Sequence, residues 1–398
     1  MILRASHTLA GTGPEAYRWI QGGGVQLRAG RIERVFEGAD ELKRAARGLS
    51  LQVRDLGSGY LLPGLVNAHA HLELSHMRLA SGPFAGWIGD ILRARRKLVP
   101  EDYAQAVVTG EARLLATGTT CVGDIASMAS AAAQGRRLRS VVYREVLDAW
   151  DPARSAASMA ALGRALPKRK LRIEGLSPHA PYSTSAKLLG LASRLLSRRP
   201  MPVSVHWSES QAELDWLREG SGDFAPFFPA SPGCSGLQLL EQAGLLNSGT
   251  SLVHGNLPQP GEPERIARAG SVLVHCPGTH RFFDRAAFPW QLYRRAGVQV
   301  ALGSDSLASN GDLDMRREMA LARASNPDLE PRQVLAMATH VAAQALGLGG
   351  QIGAIEAGQG ADLAFHEGLP GNPEDALEAL TSGAGQVGQV YVAGRRMQ

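Results

Sequence analysis

Residues 61–71 read Leu61-Leu62-Pro63-Gly64-Leu65-Val66-Asn67-Ala68-His69-Ala70-His71, an apolar run that ends in small residues and two histidines. A short apolar run bounded by turn-forming residues suits a strand buried on both faces of a parallel sheet. An open doubly wound sheet would place a glycine-rich phosphate loop after its first strand, whereas here that position holds Asn67-Ala68-His69-Ala70-His71. Counting Leu61–Val66 as the first, eight such runs follow one another; the others are 119–125, 140–146, 171–176, 202–205, 251–253, 271–274 and 298–302. Segments of helical periodicity separate them, and the series ends in a helix near Leu348. Eight consecutive βα units predict an α/β fold, a (β/α)8 TIM barrel spanning residues 60–349.

The flanks have a different texture. Residues 1–59 and 350–398 read as short strands broken by turns, among them Gly24–Leu27, Arg31–Phe36, Ala361–Phe365 and Gln389–Val392. Chain ends often lie close together in compact folds, so both flanks are expected to form one small composite β-sandwich domain.

Composition narrows the class of protein. The chain has 398 residues, 44% of them hydrophobic and 20% charged, enough to bury a large core and unlike disordered or fibrous sequences. Its net charge of +5 comes from scattered, mostly arginine residues without aromatic interleaving, so no nucleic-acid partner is expected. Cys121, Cys234 and Cys276 are odd in number and far apart, which argues against a disulfide framework or a thiolate zinc site and for a reducing compartment. With no leader-like segment and no membrane-length apolar run, the expected location is the cytoplasm, away from any membrane.

In a TIM barrel the C-terminal strand ends converge on one mouth, so polar residues just after each apolar run are the functional candidates. His69 and His71 follow the first run, His179 the fourth, His206 and Glu209 the fifth; His254, His275 and Asp305 close the sixth, seventh and eighth. Six of the 11 histidines of the chain fall at these places, which a scattered surface distribution would not produce. His69 and His71, two apart on an extended segment, project to the same side. Alone the pair could equally be a turn feature, but His206 and Asp305 complete a nitrogen-rich shell with one carboxylate, suited to a divalent ion with a position open for water. Glu209, three residues past His206, is placed to shuttle protons; its other reading is a carboxylate ahead of a helix at 211–217. Asp305 can accept a proton from the attacking water, and His254 can stabilise developing charge. Glu73 and His179 are candidate substrate contacts, as are His275 and His280, while Glu213 reads as a surface or helix-dipole carboxylate. No lysine ends the fourth run, Glu174-Gly175-Leu176-Ser177-Pro178-His179, so a carbamylated lysine bridging two ions is not available there and one metal is expected.

These strings, together with Gly118-Thr119-Thr120, His206-Trp207-Ser208-Glu209, His254-Gly255-Asn256, His275-Cys276-Pro277 and Gly303-Ser304-Asp305-Ser306-Leu307-Ala308-Ser309-Asn310, resemble the amidohydrolase superfamily, in its cytosine deaminase and chlorohydrolase branch. The 206–222 stretch and the 305–310 box look like those of aminodeoxyfutalosine deaminases. The resemblance implies a mononuclear zinc or iron site of His69, His71, His206 and Asp305, Glu209 as proton shuttle, His254 beside the water, the terminal β-sandwich, and homodimers. One departure stands out: many chlorohydrolase-like members carry asparagine where this chain has His280. The expected function is hydrolytic deamination of an amino-substituted purine or related small heterocycle. The alternatives are a chlorohydrolase or cyclic amide hydrolase acting on a triazine- or pyrimidine-like ring and, more remotely, a non-catalytic scaffold barrel.

Overall fold

In the computed structural model, which describes residues 1–48, 50–163, 166–228 and 230–397, the eight expected strands form one parallel sheet in sequence order. They are β1 (Leu65–Ala70), β2 (Thr119–Ala126), β3 (Arg139–Val146), β4 (Arg172–Pro178), β5 (Val203–Trp207), β6 (Thr250–His254), β7 (Val272–His275) and β8 (Val300–Leu302). A parallel bridge between Ala70 and Asp305 brings the outlet of β8 back to β1 and closes the ring. Every residue of β1, β2, β5, β6, β7 and β8 is buried, because side chains fill the inside and helices cover the outside. The N-terminal end is plugged by the helix His340–Ala345 and Leu346, which pack with Val66, Cys121, Val274 and Ala301. The opposite end of the barrel carries a cavity.

The expected first strand, Leu61–Val66, is two strands. Tyr60–Pro63 leaves the barrel and pairs antiparallel with Leu363–His366 and parallel with His7–Thr8; β1 begins only at Leu65. Gly64 marks the crossing: a Cβ there would lie 2.2 Å from Thr120 Oγ1, so only glycine lets the two strands pass so closely. An unbroken apolar run carries no sign of this division, since both halves are buried.

Tyr60–Pro63 belongs to a six-stranded sheet that also takes His7–Ala10 and Arg18–Gln21 from the N-terminal segment and Leu363–Glu367, Gln386–Val392 and Arg395–Arg396 from the C-terminal one. A four-stranded sheet of Ile2–Arg4, Gly24–Arg28, Arg31–Phe36 and Val53–Asp55 faces it. Leu3, Val25 and Ile32 of the second sheet share a core with Leu61, Phe365 and Tyr391 of the first, which is the expected sandwich. Arg139, at the start of β3, donates to Asp362 Oδ2 at 2.7 Å and ties barrel to sandwich. No helix among the described residues is long and apolar enough to cross a membrane.

Candidate metal centre and active site

Four side chains from β1, the residue after it, β5 and the loop after β8 meet at the open end. One ring nitrogen from each of His69, His71 and His206 lies within 4.8 Å of the other two. His71 Nε2 and His206 Nε2 are 3.2 Å apart, and Asp305 Oδ1 is 3.6 Å from both His69 Nε2 and His71 Nε2. Backbone pairing holds this geometry: Asp305 N donates to the His69 carbonyl at 3.0 Å, and Asp305 sits at φ +57°, a left-handed conformation that turns its carboxylate inward. Ser309 Oγ donates to Asp305 Oδ2 at 3.1 Å, leaving Oδ1 for the histidines.

The donor set fits a divalent cation. Both ring nitrogens of His69 are buried with no hydrogen-bond partner among the described residues, an arrangement that is costly unless something else occupies a lone pair. His206 Nδ1 lies 2.8 Å from the His179 carbonyl; a carbonyl only accepts, so Nδ1 carries the proton and Nε2 presents its lone pair to the cluster. Burial, reinforced by the neighbouring imidazoles, pushes His71 down to about 3 and His206 well below the usual histidine range, so both rings are neutral ligands at physiological pH. Burial works against ionisation of Asp305, but His69 and His71 outweigh it and hold the carboxyl well below its ordinary range.

Glu209 and His254 flank the cluster. The His254 ring stacks on His206 at 5.5 Å between centroids, and its Nε2 is 3.5 Å from Glu209 Oε2. Burial raises the Glu209 carboxyl to about 8 against the pull of the Arg285 guanidinium, whose Nη2 is 3.1 Å from Oε1. A carboxyl near neutrality suits a group that must both take and give a proton. Glu213, expected as a surface or helix-dipole carboxylate, stands in the first turn of the helix Gln211–Glu219 but is fully buried. Its two oxygens accept the backbone N–H of Ser208 at 2.9 Å and of Glu209 at 2.8 Å, while its own N–H is capped by Ser210 Oγ at 3.3 Å. The spacing Ser210-x-x-Glu213 is a capping-box signal, and the glutamate reaches back to clamp the loop that carries Glu209.

A cavity of about 270 Å³ opens above these groups. His71, His206, His254, Asp305, Glu209 and His179 form its polar floor, with Glu73 and Glu145 to one side. Its wall is apolar, from Phe84, Trp87, Ile88 and Ile91 of a helix spanning Phe84–Arg95, with Tyr182 and Phe228 opposite. His179 is fixed through Nδ1, 2.6 Å from Ser183 Oγ. Glu73 accepts from Ser127 Oγ, from Met128 N at 3.1 Å and from Arg95 Nη2 at 3.4 Å, and burial lifts its carboxyl to about 7. His275 and His280 do not line the cavity, contrary to expectation: the His275 ring stacks on Phe288 at 3.8 Å, and His280 bonds Asn256 Oδ1 and the Ala286 carbonyl. Both brace the segment after β7.

A model of the amidohydrolase family matches residues 60–397, 338 of the chain's 398 residues (397 − 60 + 1). The chain belongs to the amidohydrolase family. Aminodeoxyfutalosine deaminase of Deinococcus radiodurans is 31% identical to it over 296 residues, 68% of this chain and 70% of that protein. The 5-methylthioadenosine/S-adenosylhomocysteine deaminase of Pyrococcus furiosus is 29% identical over 379 residues, 89% of this chain and 87% of its own. The crystal structure of an adenosine deaminase from Xanthomonas campestris with bound zinc superposes with a TM-score of 0.82 at 27% identity, covering 99% of this chain and 92% of that one.

Three polar groups of this amidohydrolase site escaped the reading of its sequence. Glu145 stands one residue from the end of β3, beside His179 and His206, and obeys the strand-end rule that found the histidines. Burial lifts its carboxyl to about 7. Arg95 and Arg285 arrive from a helix and a loop inserted between barrel strands, where no periodicity relates them to the mouth.

Proposed function

We propose that this protein is a hydrolytic deaminase of adenine-like nucleosides or related aminoheterocycles, using one divalent metal ion. The observation that carries this reading is the joint presence of His69, His71, His206 and Asp305 as a neutral-histidine, one-carboxylate shell with Glu209 and His254 beside it. Relatives named as deaminases of modified adenosines support the substrate class, and the zinc-bound relative supports zinc over iron. The four ligands would hold the ion, which supplies Lewis acidity that makes water nucleophilic near neutral pH.

The remaining work falls to the chain. Asp305 takes the proton of the attacking water. Glu209 delivers a proton to the ring nitrogen next to the amine-bearing carbon, the proton taken by Asp305 passes to the amine, which leaves as ammonia, and the proton left on the added oxygen restores Glu209, so that the ring C–N bond is exchanged for C–O. His254 donates a hydrogen bond to the oxygen as charge builds on it. Glu73 and His179 orient the ring, and the apolar wall receives its substituent. In this reading the enzyme works on a free small molecule in the cytoplasm as a homodimer, without nucleic acid. Residues 1–59 and 350–398 with Tyr60–Pro63 brace the barrel as a separate domain.

The test is ammonia release from a panel of adenosine, 5′-methylthioadenosine and aminodeoxyfutalosine by protein carrying one equivalent of zinc, with chlorotriazines and cyclic amides alongside. Ammonia from at least one nucleoside is expected. Chloride release or ring opening without ammonia overturns the deaminase reading, and inert but zinc-loaded protein on the whole panel overturns it as well.

A further inference from the structure

We propose that Arg285 is a positioning residue that assigns different tasks to the two oxygens of Glu209 and couples them to the apolar wall of the cavity. This rests on the reading of Glu209 as the proton carrier. The two oxygens have different surroundings: Oε2 faces His254 Nε2 at 3.5 Å, whereas Oε1 is 3.1 Å from Arg285 Nη2. The other amino group of the same guanidinium donates to the backbone carbonyl of Glu209, which also accepts from Asn256 Nδ2 at 3.0 Å. One planar fork therefore grips the residue at both its carboxylate and its peptide, and a rigid fork fixes a carboxylate in a way that a single ammonium does not. Rotation that would exchange the oxygens is blocked, so Oε2 alone faces the reacting centre.

The grip depends on what holds Arg285. Its guanidinium carbon lies 5.2 Å from the centroid of the Phe84 ring and 4.8 Å from that of Phe283, so the fork is flanked by the cavity-wall helix and the segment after β7. Its side chain is 12% exposed. Arg285 is not among the residues that line the cavity, while Phe84 and Glu209 are. It therefore acts through Glu209 and not by touching substrate. A substituent seated against the wall presses on Phe84, and through the stacked guanidinium steadies the carboxylate.

The experiment compares kcat and KM of the zinc-loaded wild-type enzyme with Arg285→Met, Arg285→Lys, Glu209→Gln and the Arg285→Met/Glu209→Gln double variant, with metal content and thermal unfolding of each. Arg285→Met is expected to lower kcat about 30-fold, with KM within about threefold and one zinc retained, the pattern of a group needed only for the chemical step. Arg285→Lys restores part of this, leaving kcat about fivefold low because charge without the fork holds one oxygen loosely. In the Glu209→Gln background Arg285→Met costs nothing further, since residues that act as one unit are not additive. An equal loss in both backgrounds, or a rise in KM at constant kcat, overturns the proposal. If Arg285→Met fails to fold, Arg285→Lys decides: wild-type kcat in that variant overturns the role of the fork. A Glu209→Gln enzyme with nearly full kcat instead overturns the proton-carrier reading itself, a separate result.

Discussion

His69, His71, His206 and Asp305 stand at strand ends whose backbones are hydrogen-bonded around a closed ring, whereas the wall above them is a helix, Phe84–Arg95, in which no residue is fully buried. The floor is held by the ring itself, and two of the four residues have a further polar partner: His206 has the His179 carbonyl and Asp305 has Ser309. The wall is held by few polar tethers, among them Trp87 Nε1 to the Ala308 carbonyl at 3.3 Å and Arg95 to Glu73 at 3.4 Å. On the proposed function, chemistry that tolerates little displacement would sit on the first, and recognition of a variable substituent on the second.

Changes to the floor should therefore cost activity, and changes to the wall affinity. The largest effect is expected for His69→Ala: zinc content falls far below one equivalent and kcat drops about a thousandfold or more, because the nucleophile is no longer activated. Retained zinc with retained activity would remove His69 from the shell. Glu209→Gln should keep its zinc and lower kcat by about 10²–10⁴, the range of general acid–base catalysis, with KM little changed.

Glu213→Ala tests whether the floor depends on its clamp. Two buried N–H groups, of Ser208 and Glu209, lose their acceptor, which should lower stability by about 1–3 kcal/mol per group left unpaired and reduce kcat through the displaced Glu209. An unchanged unfolding midpoint would contradict the clamp. Trp87→Ala, on the wall, should raise KM severalfold for nucleosides with large apolar substituents while kcat for adenosine stays put. A fall in kcat with KM constant would erase the distinction between wall and floor.

The smallest effect concerns Glu318, which sits behind the floor and accepts from Gly278 N and Asn310 Nδ2, both at 2.7 Å. Burial raises its carboxyl to about 8, so the folded protein holds a proton that the unfolded chain, with an ordinary carboxyl, has already lost. Its contribution to stability is thus present in acid and fades as pH rises from about 5 to 8. Glu318→Gln should flatten the decline of the unfolding midpoint over that window by a few degrees, whatever it does to the midpoint itself. A slope identical to wild type would mean that Glu318 ionises normally.

The same contrast governs what the sequence reveals. The floor is legible because barrel strands are buried on both faces: apolar runs mark them, and a polar residue closing such a run, like His254 or His206, has few reasons to be there other than function. Tyr60–Pro63 and β1 merge into one run because burial in a sandwich and in a barrel look alike. Of the two readings of Glu213, the helix-end one holds and the surface one does not: a carboxylate in the first turn of a helix ordinarily faces water, and only the fold shows that this turn points into the protein. His275 closes β7 as the rule requires but turns to Phe288, so strand-end position selects candidates without fixing where a side chain points. The wall and the arginine behind it leave almost no trace, as Phe84, Trp87 and Arg285 come from insertions whose packing partners are distant in sequence.

The crossing at Gly64 joins two structures on one short thread. Only the five residues 64–68 separate Pro63, paired within the sandwich, from His69 at the metal cluster. Strand pairing on one side and ion binding on the other thus pull on the same peptide, and loosening either transmits to its neighbour. Loading with zinc should slow amide exchange not only around His69 but across Leu61 and Leu62, well outside the cavity, so that the terminal sandwich reports on occupancy of a site it does not touch.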